Sequence, residues 1–367
     1  MYKSFRVQNF RGFRDLRLDD LARVNLIAGK NNTGKSALLE AIFTYTGDYD
    51  ASRLMRMPAP IPDRAGTTGM TNSFDNEVEG SVWEVLFHNH TTTSPIRMRA
   101  DLQEDLNSTE SCTSSEDTNW LEVGVVNIDV LPDDSLLTRI AFRGDYNIPS
   151  WLLEFRPGAG DPVHLAWVRR YDKVELKPDH HFPAVFIPSS EMMPRPEIVR
   201  RFSDLLFARR KPELLEILRE FEPRLVDLSL VGEPSSIHGD LEDLRKLLPV
   251  SSMGEGMRRI TSLMLAISTT ENGIVLIDEI ENGLHYSVQT RVWQAIAEAA
   301  RAYNVQIFAT THSHEMILAA HEAFSEKNPC DLRYFRLSRD RDTNDIQGVA
   351  YEPETLEAAI EVGFEVR

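Results

Sequence analysis

The chain has few cysteines and no long apolar run, and each absence narrows its class. Cys112 and Cys330 are the only cysteines among 367 residues and lie far apart in sequence, so we expect free thiols in a reducing compartment. No apolar stretch approaches the roughly 20 residues that a membrane-spanning helix needs. The first residues, MYKSFRVQNFRGF, resemble neither a signal peptide nor a transit peptide. We therefore expect a cytoplasmic protein without a membrane partner.

The chain also lacks an excess of basic residues and a heptad array. Its formal net charge is −17, which disfavours a broadly basic nucleic-acid surface. One basic cluster is interleaved with acidic residues, so it is either a local nucleic-acid patch or an ordinary solvated helical face. Its members are Arg195, Arg200, Arg201, Arg209, Arg210 and Lys211. Nucleic-acid binding therefore stays open.

What is present is a phosphate-binding loop. GKNNTGKS, Gly29–Ser36, fits the pattern G-x-x-x-x-G-K-[ST]. An apolar strand, Ala22–Ala28, precedes it, and a helix rich in Ala and Leu follows from Ser36. In such a loop the backbone N–H groups and the helix N-terminus surround phosphates, Lys35 reaches the outer phosphates, and Ser36 holds Mg²⁺. The alternative is a surface turn that matches by chance.

The segment Asn272–His285, NGIVLIDEIENGLH, supplies the carboxylates that such a loop requires. Its continuous apolar run predicts a parallel strand buried on both faces. Asp278 ends this strand and is the expected Mg²⁺ partner of Ser36, while Glu279 is the expected general base for an attacking water. A chance pair of acidic residues is the alternative.

Two further segments complete the pattern. Another buried strand in Asn304–Met316 ends near His312. This histidine could hydrogen-bond the γ-phosphate or the attacking water. The alternatives are a histidine of the core and a metal ligand paired with His314. Small residues at Ser252, Gly254 and Gly256 open an apolar helix, an arrangement that can bind an anion.

The remaining pattern predicts an α/β chain with an inserted β-rich region. Residues Tyr2–Phe10 and Phe13–Asp19 alternate like a hairpin, and two helices are predicted between Arg195 and Leu225. Short strands are predicted at Ser81–Phe87, Pro95–Asp101, Leu121–Val130, Leu136–Phe142, Ser150–Phe155, Val163–Arg170 and Pro183–Glu191, with an acidic loop at Glu104–Asn119. We expect one domain over 1–367, with a nucleotide-binding core at 1–65 and 183–367, a helical lobe at about 192–260 and an antiparallel insertion at 66–182.

The ordered set GKNNTGKS, SSMGEG, IVLIDE, GLH and ATTHS resembles an ABC-type ATPase, more narrowly the bacterial ATPases grouped with the RecF, SMC and OLD proteins. The resemblance implies a P-loop NTPase head with a mixed sheet, an antiparallel β-rich lobe and a helical signature lobe. It implies ATP and Mg²⁺ as cofactors and a homo-oligomer, at least a dimer, joined through the ATP sites. Met253 departs from the usual signature of transporters, and Ser189 or Glu191 would stand in for a glutamine-bearing loop.

The resemblance also assigns roles to individual residues. Glu279, His312 and Lys35 would be catalytic, Ser36 and Asp278 would bind the metal, and Gly283, Leu284 and His285 would link the two sites. Residues that would contact the nucleotide are Asn31, Asn32, Thr33, Gly34, Lys35, Ser36, Ala37 and Arg11 of one subunit, with Ser252, Gly254 and Glu255 of the other. Asn9, Phe10 and Arg11 would lie near the adenosine.

The resemblance implies a partner as well. Stand-alone ATPases of this length resemble the sensor subunits of two-gene antiviral systems, which act with a separate effector such as a Toprim-like nuclease. Asp340 and Asp342 have the D-x-D spacing of a Toprim site, but a charged loop is the simpler interpretation. A RecF-like DNA-binding repair ATPase is the alternative function, and a scaffold that binds ATP without turnover is a third.

Overall fold

The computed structural model describes residues 1–46, 86–102, 120–127, 151–157, 163–165, 182–189, 193, 195–325, 329–351 and 355–358. No helix within these ranges combines the length and apolarity that crossing a membrane requires. Cys330 is an exposed free thiol, and Cys112 lies outside the described residues. The expected boundaries near residues 65 and 183 remain a prediction.

A mixed six-stranded sheet forms the centre of the protein, in the order β15-β14-β3-β13-β12-β8. Its strands are β3 Val24–Ala28, β8 Ala184–Ile187, β12 Ile274–Ile277, β13 Gln306–Thr311, β14 Leu332–Arg339 and β15 Ile346–Tyr351. The strands pair in parallel except for β15, which is antiparallel to β14. Every residue of β3, β12 and β13 is buried, as their continuous apolar runs predict.

Two hydrophobic cores cover the faces of this sheet. Neighbouring residues of one strand point to opposite faces, so Leu26 and Val275 join one core while Ile27 and Leu276 join the other. The described residues include the helices α1 Lys35–Tyr45, α2 Arg195–Phe207, α3 Lys211–Arg219, α4 Glu255–Ser268, α5 Tyr286–Ala302 and α6 His314–Ser325. Helix α1 packs in the second core, and α4, α5 and α6 pack in the first. The expected α/β class is confirmed.

The second sheet is antiparallel and combines the predicted hairpin with the inserted strands, in the order β2-β1-β4-β5-β6-β7. Its strands are β1 Tyr2–Phe10, β2 Phe13–Leu18, β4 Ile96–Leu102, β5 Trp120–Asn127, β6 Trp151–Pro157 and β7 Val163–Leu165. Of the strand predicted at Ser81–Phe87, residues 81–85 lie outside the described residues; Phe87 makes one isolated antiparallel bridge to Phe10, and a 3₁₀ turn follows at His88–His90. The strand predicted at Leu136–Phe142 and the acidic loop lie outside the described residues.

The helical lobe contains a sheet that the pattern did not predict. After the two expected helices, β9 Leu225–Val231, β10 Ser236–Leu241 and β11 Leu248–Pro249 form an antiparallel sheet. The apolar pattern of β9 in the sequence is weak, because only Leu225 and Leu228 of this strand are buried.

The basic cluster of this lobe is paired with acidic residues, as expected for the solvated-face interpretation. Its ion pairs are Arg200–Asp204, Arg201–Glu197, Arg210–Glu213, Arg210–Glu271 and Lys211–Asp227. Much of the positive charge is therefore balanced within the lobe.

Gln306 joins the two large sheets. Its side chain is fully buried at the start of β13. Its Oε1 accepts the Tyr2 N–H at 2.8 Å, and its Nε2 donates to the carbonyls of Tyr2 at 2.8 Å and Ala22 at 2.9 Å. One amide thus connects the first strand of the antiparallel sheet to the central sheet that carries the phosphate loop.

Replacing Gln306 with Leu should therefore destabilise the protein. The change deprives the Tyr2 amide and the Tyr2 and Ala22 carbonyls of this buried partner, which costs about 2–4 kcal/mol. Urea unfolding followed by circular dichroism measures the change. Gln347→Leu on the exposed side of β15 is the matched control and should stay within about 0.5 kcal/mol of wild type. Equal unfolding midpoints for the two variants would show that the Gln306 contacts do not stabilise the fold.

Candidate functional site

The phosphate loop lies where the sequence predicts it, between β3 and α1. Gly34 is the N-cap of α1 with a φ of 84°, a left-handed conformation that favours glycine. A Cβ at Gly34 would stand 2.9 Å from the ring of Phe13 in β2. The hairpin therefore packs against the loop and leaves space only for glycine at this position.

Lys35 is held over the loop by the loop's own backbone. Its side chain is buried, and Nζ donates to the carbonyls of Gly29 at 2.7 Å and Lys30 at 2.9 Å. Burial lowers the pKa of Lys35, while nearby carboxylates led by Asp278 oppose that shift. The ammonium therefore lies inside the loop, where it could meet an anion that enters.

Ser36 and Asp278 meet across the sheet. Ser36 Oγ donates to the carboxylate of Asp278, with distances of 2.9 Å to Oδ2 and 3.1 Å to Oδ1. Asp278 is only 5% exposed. A hydroxyl and a carboxylate in contact are oxygen ligands of the kind that Mg²⁺ prefers, so these residues fit the metal that the resemblance implies.

Thr310 is a member of this site that the sequence did not reveal. It lies fully buried on β13, which runs between β3 and β12 in the sheet. Its Oγ1 donates to Asp278 Oδ1 at 2.5 Å and accepts the Glu279 N–H at 2.9 Å. A threonine in a buried strand gives no sequence signal of its own, because it is also an ordinary strand residue.

Glu279 is held at the edge of the sheet by several contacts. Its φ is 45°, in the left-handed region that a non-glycine residue rarely adopts. Its Oε2 accepts from Asn282 Nδ2 at 2.9 Å, and the same Nδ2 donates to the Ser189 carbonyl at 3.1 Å. Glu191 lies outside the described residues.

His312 lies near Glu279 but contacts Glu281 more closely; its expected hydrogen bond to the γ-phosphate or the attacking water stays a prediction. His312 Nδ1 is 2.9 Å from Glu281 Oε1 and 3.9 Å from Glu279 Oε1. The His312 backbone N–H also donates to Glu281 Oε1 at 2.8 Å. The side chain is 46% exposed, which contradicts the core-histidine alternative. Within the described ranges, no group of three or more His, Cys, Asp or Glu residues could hold a metal ion.

The signature residues lie at the surface. A 3₁₀ turn at Val250–Ser252 leads to Gly254, whose φ is 103°, and α4 begins at Glu255. Ser252, Gly254 and Glu255 are exposed, and a Cβ at Gly254 would meet nothing within 4 Å. Gly283 packs on Glu255, since a Cβ there would stand 2.8 Å from Glu255 Cγ.

Arg11 is directed at α1. Its Nη1 lies 2.7 Å from Oε2 of the buried Glu40. Its own turn is fixed by a hydrogen bond from the Arg11 N–H to the Leu86 carbonyl at 2.8 Å and by a 3.1 Å contact between the Arg11 carbonyl and His88 Nδ1. The expected contact of Arg11 with adenosine stays a prediction.

The other loop residues differ in their surroundings. Asn31 and Asn32 are exposed, Thr33 Oγ1 donates to the Lys30 carbonyl at 2.8 Å, and Ala37 packs against the second core. Arg339, at the end of β14, was not anticipated; its Nη2 donates to the Asn32 carbonyl at 3.2 Å.

Asp340 belongs to a turn. Its Oδ1 accepts the backbone N–H groups of Asp342 at 2.9 Å and Thr343 at 2.8 Å, so this carboxylate fixes the connection between β14 and β15. The loop interpretation of the D-x-D spacing is therefore confirmed.

Family comparisons agree with this geometry. A model described as an AAA ATPase domain matches residues 1–111, and one described as an AAA domain, putative AbiEii toxin, type IV TA system, matches residues 149–318. This chain is an ATPase. It is 23% identical over 339 residues to a Helicobacter pylori protein named ATP/GTP phosphatase, covering 89% of this chain and 90% of that protein.

Two solved structures are similar to the ATPase over almost its whole length. An SMC head bound to the C-terminal winged-helix domain of ScpA superposes with a TM-score of 0.50 at 15% identity, covering 98% of this chain and 99% of that one. An SMC head from Thermotoga maritima gives a TM-score of 0.45 at 12% identity, covering 96% and 99%. The first of these superpositions shows that the chain has the α/β fold of an SMC head.

Glu40 should make the stability of the ATPase depend on pH. Burial raises the pKa of Glu40 from 4.5 to about 7, although Arg11 opposes the shift. Between these values the folded state binds more protons than the unfolded state, so the free energy of unfolding falls as pH rises through this window. A pKa difference of one unit corresponds to about 1.36 kcal/mol. Across this window the free energy of unfolding of wild type should therefore fall by roughly 3 kcal/mol relative to that of Glu40→Gln, which has no carboxyl at this position.

Urea unfolding from pH 4 to pH 8 measures this difference. The gap between wild type and Glu40→Gln should change between about pH 4.5 and 7 and stay constant above. Glu216→Gln on the exposed side of α3 is the control and should follow the wild-type curve. Parallel curves for wild type and Glu40→Gln would show that Glu40 does not titrate in this range.

Proposed function

We propose that the chain is a switch ATPase that binds ATP with Mg²⁺ and closes into a homodimer with the nucleotide between the subunits. The observation that carries the proposal is that the phosphate-binding residues converge on one site, while the signature residues face solvent elsewhere on the chain. Lys35, Ser36 and Asp278 converge on one site, whereas the signature residues Ser252 and Gly254 are exposed. An exposed helix start with an open glycine is suited to an anion presented by another molecule.

Each residue of the site has a role that its contacts support. Ser36 and Asp278 would hold Mg²⁺, which would neutralise phosphate charge, and Lys35 would bind the outer phosphates. Glu279 would accept a proton from the attacking water, with Asn282 orienting its carboxylate at 2.9 Å. His312 would face the same water beside Glu279. Phosphoryl transfer depends mainly on such positioning and charge neutralisation.

We further propose that the ATPase regulates a separate effector in a bacterial antiviral system, with a Toprim-like nuclease as the expected partner. The resemblance of the sequence to stand-alone sensor subunits supports this role, and the second family description mentions a putative toxin. Affinity purification of the native protein followed by mass spectrometry tests it. Recovery of a nuclease that copurifies only in one nucleotide state supports the role, whereas the absence of any bound nuclease with and without ATP contradicts it.

Glu279→Gln should bind ATP but hydrolyse it slowly. The amide cannot accept the proton, while Ser36, Asp278 and Lys35 are unchanged, so we expect turnover to fall by about 100-fold or more. The variant should accumulate as an ATP-bound dimer, which light scattering after size-exclusion chromatography detects. Near-wild-type turnover would exclude Glu279 as the general base.

Two inactive variants should complement each other. Lys35→Ala should lose nucleotide binding, because the loop loses its buried cation, and Ser252→Arg should bind ATP as a monomer, because a long side chain blocks the signature. In a mixture, the phosphate loop of Ser252→Arg meets the intact signature of Lys35→Ala, so ATPase activity should return.

The control replaces Lys35→Ala in that mixture by the double variant Lys35→Ala/Ser252→Arg, which supplies no intact signature. This second mixture should stay inactive. Full activity of Ser252→Arg alone as a monomer would show that the signature does not act in trans.

A further inference from the structure

A buried arginine lies between the signature and the catalytic carboxylates. Arg259 is five residues beyond Gly254 on α4 and is only 4% exposed. Its neighbours on the buried side of the helix are apolar, among them Met257, Ile260 and Leu263. Burying a guanidinium costs free energy unless it is paired and hydrogen-bonded. The hydrogen-bond partners of Arg259 should therefore indicate its role.

Arg259 binds the backbone of the two residues that would perform the chemistry. Its Nη2 donates to the carbonyl of Asp278 at 3.1 Å and to the carbonyl of Glu279 at 3.3 Å. These carbonyls belong to successive residues immediately after β12. One donor group therefore fixes the backbone that leads from the metal-binding carboxylate to the general base.

The backbone that Arg259 holds is strained. Glu279 has a φ of 45°, a conformation that costs a non-glycine residue about 1 kcal/mol or more and persists only when surrounding contacts enforce it. Thr310 Oγ1 accepts the N–H of Glu279 at 2.9 Å, and Arg259 binds its carbonyl. The peptide groups on both sides of Glu279 are thus fixed by buried side chains.

The positive charge of Arg259 also suits its position near several carboxylates. Burial lowers the pKa of Arg259, and the neighbouring carboxylates Asp278, Glu281, Glu279 and Glu255 oppose that effect, in that order of strength. Four acidic side chains within electrostatic range need compensation when they approach each other in a protected site. Lys35 and Arg259 both interact electrostatically with Asp278, Glu279 and Glu281.

We propose that Arg259 is a positioning residue that holds Glu279 in its working conformation and couples this conformation to the signature end of α4. The proposal rests on the proposed role of Glu279 as the base. At a rise of 1.5 Å per residue, the five residues from Gly254 span about 7.5 Å of the same helix. A displacement of the signature by a bound phosphate would therefore reach the carbonyl of Glu279 through one rigid element.

Arg259→Met tests the proposal, because Met retains most of the length of the side chain without its donors. It should lower kcat by about 100-fold, since misplacing a catalytic group by about 1 Å has an effect of this size. The KM for ATP should stay within about threefold, because the side chains of Lys35, Ser36 and Asp278 are untouched. Arg259→Lys retains a charged donor and should recover part of the lost kcat.

Arg201→Met is the matched control. Arg201 is 5% exposed and donates from Nη1 to Thr269 Oγ1 at 2.7 Å, at the opposite end of α4. Its replacement removes a buried arginine of α2 that contacts the C-terminal end of α4, and it should lower the melting temperature without changing kcat. If Arg259→Met is too unstable to purify, Arg259→Gln provides the same comparison.

The possible outcomes separate this proposal from the proposed function. Wild-type kcat in Arg259→Met, or an equal loss of kcat in Arg201→Met at the same melting temperature, overturns the positioning role. Loss of ATP binding in Arg259→Met would place its effect at the phosphate loop and also overturns it. A wild-type protein that never dimerises with ATP would refute the sandwich, whereas the selective kcat loss in Arg259→Met would still support positioning.

Discussion

The carboxylate of Asp278 is the contact on which the site depends. It lies at the end of β12 and accepts hydrogen bonds from Ser36, which follows β3, and from Thr310 of the intervening strand β13. Because the carboxyl ends of parallel strands share one edge of a sheet, three separate segments meet there. The register of the central sheet therefore determines the geometry of the site. A shift in the pairing of β3, β13 and β12 would separate Ser36 from the carboxylate of Asp278.

This concentration of acidic groups sets an electrostatic problem that the fold answers with buried cations. Asp278, Glu279 and Glu281 lie close together, and Lys35 and Arg259 approach them from the phosphate loop and from α4. Both cations have pKa values lowered by burial, so neither is there for stability alone. Glu40 shows the opposite case, because burial keeps its carboxyl largely protonated below about pH 7 despite Arg11.

The sequence predicts best those parts of the fold and of the site that lie within one contiguous segment. Gly29–Ser36 and Ile274–Glu279 each contain a strand or loop and its functional residues in one run, so periodicity and spacing were sufficient to identify them. Thr310, Arg259 and Arg339 were given no role, because none belongs to a pattern that fixes its chemistry and only the folded structure shows its partner. The strands β9 to β11 escaped for a related reason: they are short and half-exposed, and their pairing rather than their composition defines them.

The backbone of Glu279 bears on the proposed switch. A general base on a relaxed strand end would be in position at all times, and hydrolysis would then follow binding without control. Here the residue is in a strained conformation that Thr310 supports from the sheet and Arg259 supports from the signature helix. The sheet is rigid, but α4 begins at an exposed glycine and contacts Gly283 through Glu255. We infer that the position of α4 decides whether the base is held in place, so that turnover depends on what occupies the signature.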